Sequence, residues 1–132
     1  MPYFGRSSLN NLNTCCFELR DILLEAIKHV DFSVVCGHRN AADQQKAFAD
    51  GFSEVTWPNS KHNEYPSDAV DVAPYVNGIK WDDIEGFTLL AGILKGIAIM
   101  KGYNLRIGID WDGDLFVKEH SFKDRPHIEL IR

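Results

Sequence analysis

The stretch that decides how this chain is built is Ser60-Lys61-His62-Asn63-Glu64-Tyr65-Pro66-Ser67-Asp68-Ala69-Val70-Asp71-Val72-Ala73-Pro74-Tyr75. Its first half shows neither helical nor strand periodicity, and with Pro58, Asn59 and Pro66 it extends a surface loop that begins near Phe52. Long loops of this kind in a small domain are commonly functional. Residues 69–73 then read as a strand, in which Val70 and Val72 face one side and Ala69, Asp71 and Ala73 the other. A carboxylate in mid-strand is expensive to bury unpaired, so Asp71 calls for a partner such as a metal ion.

Outward from this strand the periods alternate. Residues 16–30 place Cys16, Leu19, Leu23, Ile27 and Val30 at three- and four-residue steps, the pattern of an amphipathic helix with Asn13 or Thr14 as its N-cap. Residues 32–36 form a short β-branched and aromatic run closed by Gly37. Residues 40–50 read as a helix that Asn40 caps and Gly51 ends. A further helical pattern covers residues 83–100 through Phe87, Leu90, Ala91, Leu94 and Ala98, and residues 105–109 and 128–131 read as strands. The sum is a small α+β fold, helices packed on a mainly antiparallel sheet, expected as a single domain over residues 1–132.

Composition limits what such a domain can do. The 132 residues carry a net charge of −5 with acids and bases interspersed, which leaves no basic footprint for nucleic acid or an anionic membrane. The apolar run near residues 89–100 is broken by Gly92, Lys95 and Gly96, short of the roughly 20 residues a membrane span needs. The start Met1-Pro2-Tyr3-Phe4-Gly5 lacks the charged and apolar regions of a secretory signal, so synthesis in the cytoplasm is expected. Three cysteines, Cys15, Cys16 and Cys36, are odd in number and have no C-x-x-C spacing, so they read as reduced thiols.

Metal-binding and acid-base groups cluster in three stretches: Ser60-Lys61-His62 with Asp68 to Asp71, Asp110-Trp111-Asp112-Gly113-Asp114, and Asp124-Arg125-Pro126-His127-Ile128-Glu129. Together they supply two imidazoles and a carboxylate, a ligand set that zinc accepts while keeping a fourth position for water. His127 opens the last strand behind Pro126, which stiffens the backbone as a rigidly held ligand requires. Asp68, six positions after His62, competes with Asp71 on spacing alone. Trp111 walls the cleft in this reading.

With these residues in view, the segments GHRNAADQQKAFADG, SKHNEYPSDAVDVAPY, GIDWDGD and DRPHIEL together resemble the VanY-like zinc peptidases of peptidoglycan. That family joins D-Ala-D-Ala carboxypeptidases and L-alanyl-D-glutamate endopeptidases, and the likeness is nearest to short single-domain phage endolysins. It covers residues 12–132 and implies a hedgehog/D-Ala-D-Ala peptidase-like fold. It implies Zn²⁺ as cofactor with His62, Asp71 and His127 as ligands, and Asp124 as the catalytic acid or base. It also implies Arg39 as a catalytic and substrate-side residue, with Ser60 orienting the substrate or the ligand loop. Many members have Glu where Asp124 stands, and seven rather than nine residues from the first His to the Asp. The strand pattern Ala69-Val70-Asp71-Val72 ranks Asp71 above Asp68.

The implied partner is a peptidoglycan stem peptide, cut by a monomeric enzyme that reaches the cell wall after release from the cytoplasm. Two other functions stand beside the L-alanyl-D-glutamate endopeptidase: a carboxypeptidase acting on a D-Ala-D-Ala terminus, and a wall-binding or structural phage protein that keeps the fold without turnover. Other polar residues have plainer readings. His29 suits a helix C-terminus, His38 with Cys36 is short of ligands, and His120 reads as a loop residue. Asp110, Asp112 and Asp114 miss the EF-hand pattern, which wants Gly and Glu where Leu115 and Ser121 stand. Glu129 shares the face of His127 and either steadies a ligand or faces water.

Overall fold

The computed structural model describes residues 2–119 and 123–132. Among the described residues, four strands form one antiparallel sheet, β1 (Phe32–Cys36), β2 (Ala69–Pro74), β3 (Leu105–Ile107) and β4 (His127–Leu130), in the order β1-β2-β4-β3. The helices are α1 (Arg6–Leu12), α2 (Phe17–Ala26), α3 (Ala41–Ala49) and α4 (Ile84–Lys101), with a single 3-10 turn at Lys61–Asn63 between α3 and β2.

One sheet face makes the core. Val34, Val70, Val72, Ile107, Ile128 and Leu130 pack there with Leu19, Ile22 and Leu23 of α2 and Leu90, Ala91, Leu94 and Ala98 of α4. The α4 positions recur at helical steps, which lays one apolar stripe along the sheet. Asp83 caps α4 by accepting the Gly86 amide at 3.0 Å, and Gly102, at φ 80°, ends it in a left-handed turn that glycine adopts without strain. Leu94 is fully buried, so truncation to Ala would cost about 2–5 kcal/mol. The alternation within β2 is as expected: Val70 and Val72 enter this core, and Asp71 turns to the opposite face.

The boundaries differ from expectation in three places. Helix α1 has no apolar period, because its polar residues serve the sheet: Ser8 Oγ accepts the Val34 amide at 3.0 Å, and Asn11 Nδ2 donates to the Val34 carbonyl at 2.9 Å. Those bonds occupy the outer side of β1, an edge strand that would otherwise present bare backbone. Helix α2 starts after Cys16, which occupies the N-cap position without a side-chain cap, rather than after Asn13 or Thr14; Thr14 Oγ1 is engaged by the His38 amide at 2.8 Å, and the helix ends at Ala26. Strand β3 stops at Ile107, where a turn closed by Asp110 N donating to Ile107 O takes over.

Candidate active site

Cross-strand partners in an antiparallel sheet project to the same face. On the face away from the core, Asp71 of β2 lies opposite His127 of β4 on one side and Cys36 of β1 on the other. His62 reaches the same place from the 3-10 turn. Ser60 Oγ caps that turn by accepting the His62 amide at 3.2 Å, while Asn63 Oδ1 accepts the Ser60 amide at 3.0 Å.

The hydrogen bonds fix which ring nitrogens face inward. His62 Nδ1 lies 2.8 Å from the Gly37 carbonyl, which can only accept, so Nδ1 carries a proton and Nε2 is the nitrogen that faces Asp71 Oδ1, at 3.2 Å. His127 Nε2 donates to Glu129 Oε1 at 2.7 Å, which leaves Nδ1 facing the same Asp71 oxygen at 3.5 Å. Both inward-facing ring nitrogens thus meet one carboxylate oxygen, an arrangement that positive charge completes, either as protons on the imidazoles or as a cation held between the three groups. Bonds of about 2.0–2.1 Å to a tetrahedral zinc would separate ligand atoms by about 3.3 Å, so the donors fit that ion. Cys36, His62 and Asp71 also offer ligand atoms within 4.8 Å of one another.

The same electrostatics governs the protons. Burial pushes His62 down, but the Asp71 carboxylate outweighs it and lifts the imidazole from 6.5 to about 10. Burial likewise opposes ionisation of Asp71, yet His62 and His127 hold its carboxyl far below the usual range. His127 is raised against its burial by hydrogen bonds to Asp71 and Glu129. Asp124 is raised, first by burial and then by the charge of Asp71.

A cavity of about 420 Å³ opens over this centre, and Arg39, Ser60, His62, Asp71, Trp111, Asp124 and His127 all line it. Arg39 donates to Gln44 Oε1 at 3.0 Å and to Asp71 Oδ2 at 3.3 Å. The Trp111 ring lies 5.6 Å from that of His127. The Asp124 backbone is pinned at both ends, its N–H to Gly108 O at 2.9 Å and its carbonyl to His127 N at 3.1 Å. A Cβ on Gly108 would collide with the Asp124 carbonyl, so only glycine permits this approach.

Asp68 is drawn away into a salt bridge with Arg132 at 2.9 Å, which leaves Asp71 at the centre. His38 bonds to the Glu64 carbonyl at 3.0 Å, His29 pairs with Glu25 at 2.7 Å, and His120 lies outside the described residues. Glu129 is buried behind His127 and bridges to Arg106 at 3.2 Å, so the reading in which it faces water is set aside. Asp110, Asp112 and Asp114 gather their carboxylates within 4.8 Å, each accepting a backbone amide of the same turn.

Three residues at the site escape the sequence reading, and a fourth, Cys36, enters it only beside His38, as a pair short of ligands. Gln44 is fully buried and holds Arg39, although its place on α3 looks like a solvated face. Asn63 donates to both the Arg39 carbonyl at 3.0 Å and Gln44 Oε1 at 3.2 Å. Cys36 and Gly108 complete the set, and the Ser-x-x-Asn capping box at Ser60–Asn63 was the one local signal available.

Residues 2–131 match the family model of the phage L-alanyl-D-glutamate peptidase. The chain belongs to that family. It is 34% identical over 135 residues to the L-alanyl-D-glutamate peptidase of Escherichia phage T5, an alignment that covers 97% of each chain. Its fold is similar to the crystal structure of the L-Ala D-Glu endopeptidase ChiX of Serratia marcescens, with a TM-score of 0.76, 25% identity, and coverage of 98% of this chain and 90% of that one. The α+β fold expected for a peptidoglycan peptidase of this family is the one observed. Among the described residues, no helix is long and apolar enough to cross a membrane.

Proposed function

We propose that residues 1–132 are one catalytic domain, a zinc-dependent peptidase that hydrolyses the L-alanyl-D-glutamate bond of peptidoglycan stem peptides at the cell wall, acting as a monomer. The observation that carries this reading is the convergence of His62 Nε2 and His127 Nδ1 on Asp71 Oδ1 at the floor of a cavity. Those three residues would hold the zinc ion. When bound, zinc lowers the pKa of water at its open position towards ~7 and polarises the scissile carbonyl.

The remaining work falls to the chain's own groups. Asp124 takes a proton from the attacking water and passes it to the departing amine as the C–N bond breaks. Burial of its carboxylate, which favours uptake of a proton, suits that role. Arg39, held by Gln44 and Asp71, presents its guanidinium to a substrate oxygen. Ser60 keeps the His62 turn in place, and Trp111 walls the cleft beside His127.

Metal content and muropeptide digestion on the same preparations test this. A single equivalent of zinc and products with a new N-terminal D-glutamate are expected, both lost in His127→Ala. Free D-alanine would point instead to a carboxypeptidase, and zinc binding without cleavage to a non-catalytic wall protein.

A further inference from the structure

Strand β1 carries a feature that neither the core nor the proposed reaction accounts for. Phe32 and Val34 are buried in the core, and simple alternation would send Cys36 to join them. The register instead shifts between Val34 and Cys36: Val34 pairs with Val72, yet Cys36 pairs with Asp71. A bulge inserts one unpaired residue and re-aims the side chains beyond it, and here it turns Cys36 onto the face of Asp71. Cys36, Asp71 and His127 therefore stand side by side on three adjacent strands, with His62 beside them.

We propose that Cys36 is a fourth protein donor to the metal centre, one that gives way when substrate binds. The inference rests on the zinc reading of the site. The Cys36, His62 and Asp71 donor atoms lie within 4.8 Å of one another, and His127 meets the same Asp71 oxygen at 3.5 Å. A set of one thiolate, two imidazoles and one carboxylate fills a tetrahedral zinc shell, which is the closed arrangement of structural sites. Coordination releases the thiol proton to solvent, and no oxidant is required. The Arg39 guanidinium, with Nη2 at 3.8 Å from Sγ, adds a positive charge beside the sulfur, the kind of setting in which cysteines act as ligands.

Displacement follows from the chemistry of the site. Hydrolysis needs an open position on the ion, so Cys36 must leave for turnover. It has room to do so, because it also lines a second cavity of about 880 Å³, together with Val35, Trp81 and Asp124. The centre then rests closed and opens on use, and its sulfur ligand draws softer cations than an all-nitrogen-and-oxygen site would. Cys15 and Cys16 play no part. Both are buried in the core, and burial pushes the Cys15 thiol up to about 12.

The test is cobalt substitution of the whole chain, compared with Cys36→Ser, read by absorption spectroscopy. A thiolate-to-cobalt charge-transfer band is expected in the parent and not in the variant. The variant should still bind cobalt, with affinity reduced by at least the ~10-fold that loss of an outer-shell partner costs. Alkylation of the parent by iodoacetamide, mapped by mass spectrometry, is an independent readout: zinc should slow modification of Cys36. Cobalt bound with the same spectrum in both proteins, and alkylation indifferent to zinc, would overturn the role of Cys36 and leave the three-ligand reading standing. A parent that binds no cobalt would overturn both.

Discussion

Glu129 lies two positions beyond His127 on β4, on the same face, and its Oε1 accepts the Nε2 proton of that imidazole at 2.7 Å. The carboxylate is itself held by Arg106 at 3.2 Å and Lys61 at 3.8 Å, so the tautomer of His127 is set from behind. Glu129→Gln should therefore weaken zinc binding by roughly 10–100-fold, since the ring loses both orientation and basicity. Competition with a chromophoric chelator measures it. An unchanged affinity would show that His127 needs no such support.

Gly108 sets the position of Asp124. Gly108→Ala forces a methyl group against the Asp124 carbonyl and to within 3.1 Å of the His127 Cβ. The expected cost is about 1–3 kcal/mol of stability, as for other overpacked sites. Because the displaced segment carries the proposed base, kcat should fall in protein that still holds zinc. Urea unfolding and single-turnover cleavage on the same samples separate the two effects.

Asp124→Asn keeps the shape of the side chain and removes the base. Turnover should drop by about 10²–10⁴-fold with zinc content unchanged, the usual contribution of a positioned acid-base group. The pH profile adds a second check. The base must be ionised to accept the proton, so kcat/KM should fall on the acidic side as Asp124 becomes protonated. In Asp124→Asn that fall should vanish or move.

Stability should depend on pH in opposite senses with and without chelator. Against the pull of burial, Asp71 lifts His62 from 6.5 to about 10, so the protonated imidazole pairs with the carboxylate. Such a group contributes fully below 6.5, and its contribution is lost as pH rises through about 10. With chelator in excess, this group therefore lowers the melting temperature from neutral to alkaline buffer. With zinc in excess, protons compete with the cation for Nε2, so metal stabilisation grows over the same range. Parallel curves would exclude a cation from His62.

Much of the fold was legible because a few segments carry unambiguous periods. The alternation of Val70, Asp71 and Val72 reported a strand with one face on the core, and Asn40 caps α3 by accepting the Asp43 amide at 2.8 Å. Polar material used inward escaped. Ser8 and Asn11 spend their side chains on Val34, so α1 has no apolar stripe to read. Gln44 is buried for its amide rather than for any hydrocarbon.

The candidate site was legible through four separated segments whose order resembles a known family. Its seven named residues converge on one cavity. The bulge was not legible, since inserting one residue into Ser33-Val34-Val35-Cys36 leaves no mark on composition, yet it decides where the thiol points. Gly108 was missed for a similar reason: the demand for glycine comes from a segment about sixteen residues further along the chain, and local sequence carries no trace of it.

In the order β1-β2-β4-β3, Asp71 and His127 sit on the two inner strands, whereas His62 hangs from a single short turn closed by side-chain caps. Amide exchange should divide the site accordingly. Inner-strand amides open only when the whole domain unfolds, while the 61–63 turn can open by itself at much lower cost. An ion gripped by all three residues would transfer the protection of the slow part to the fast one, making the His62 amide a local reporter of occupancy without any substrate.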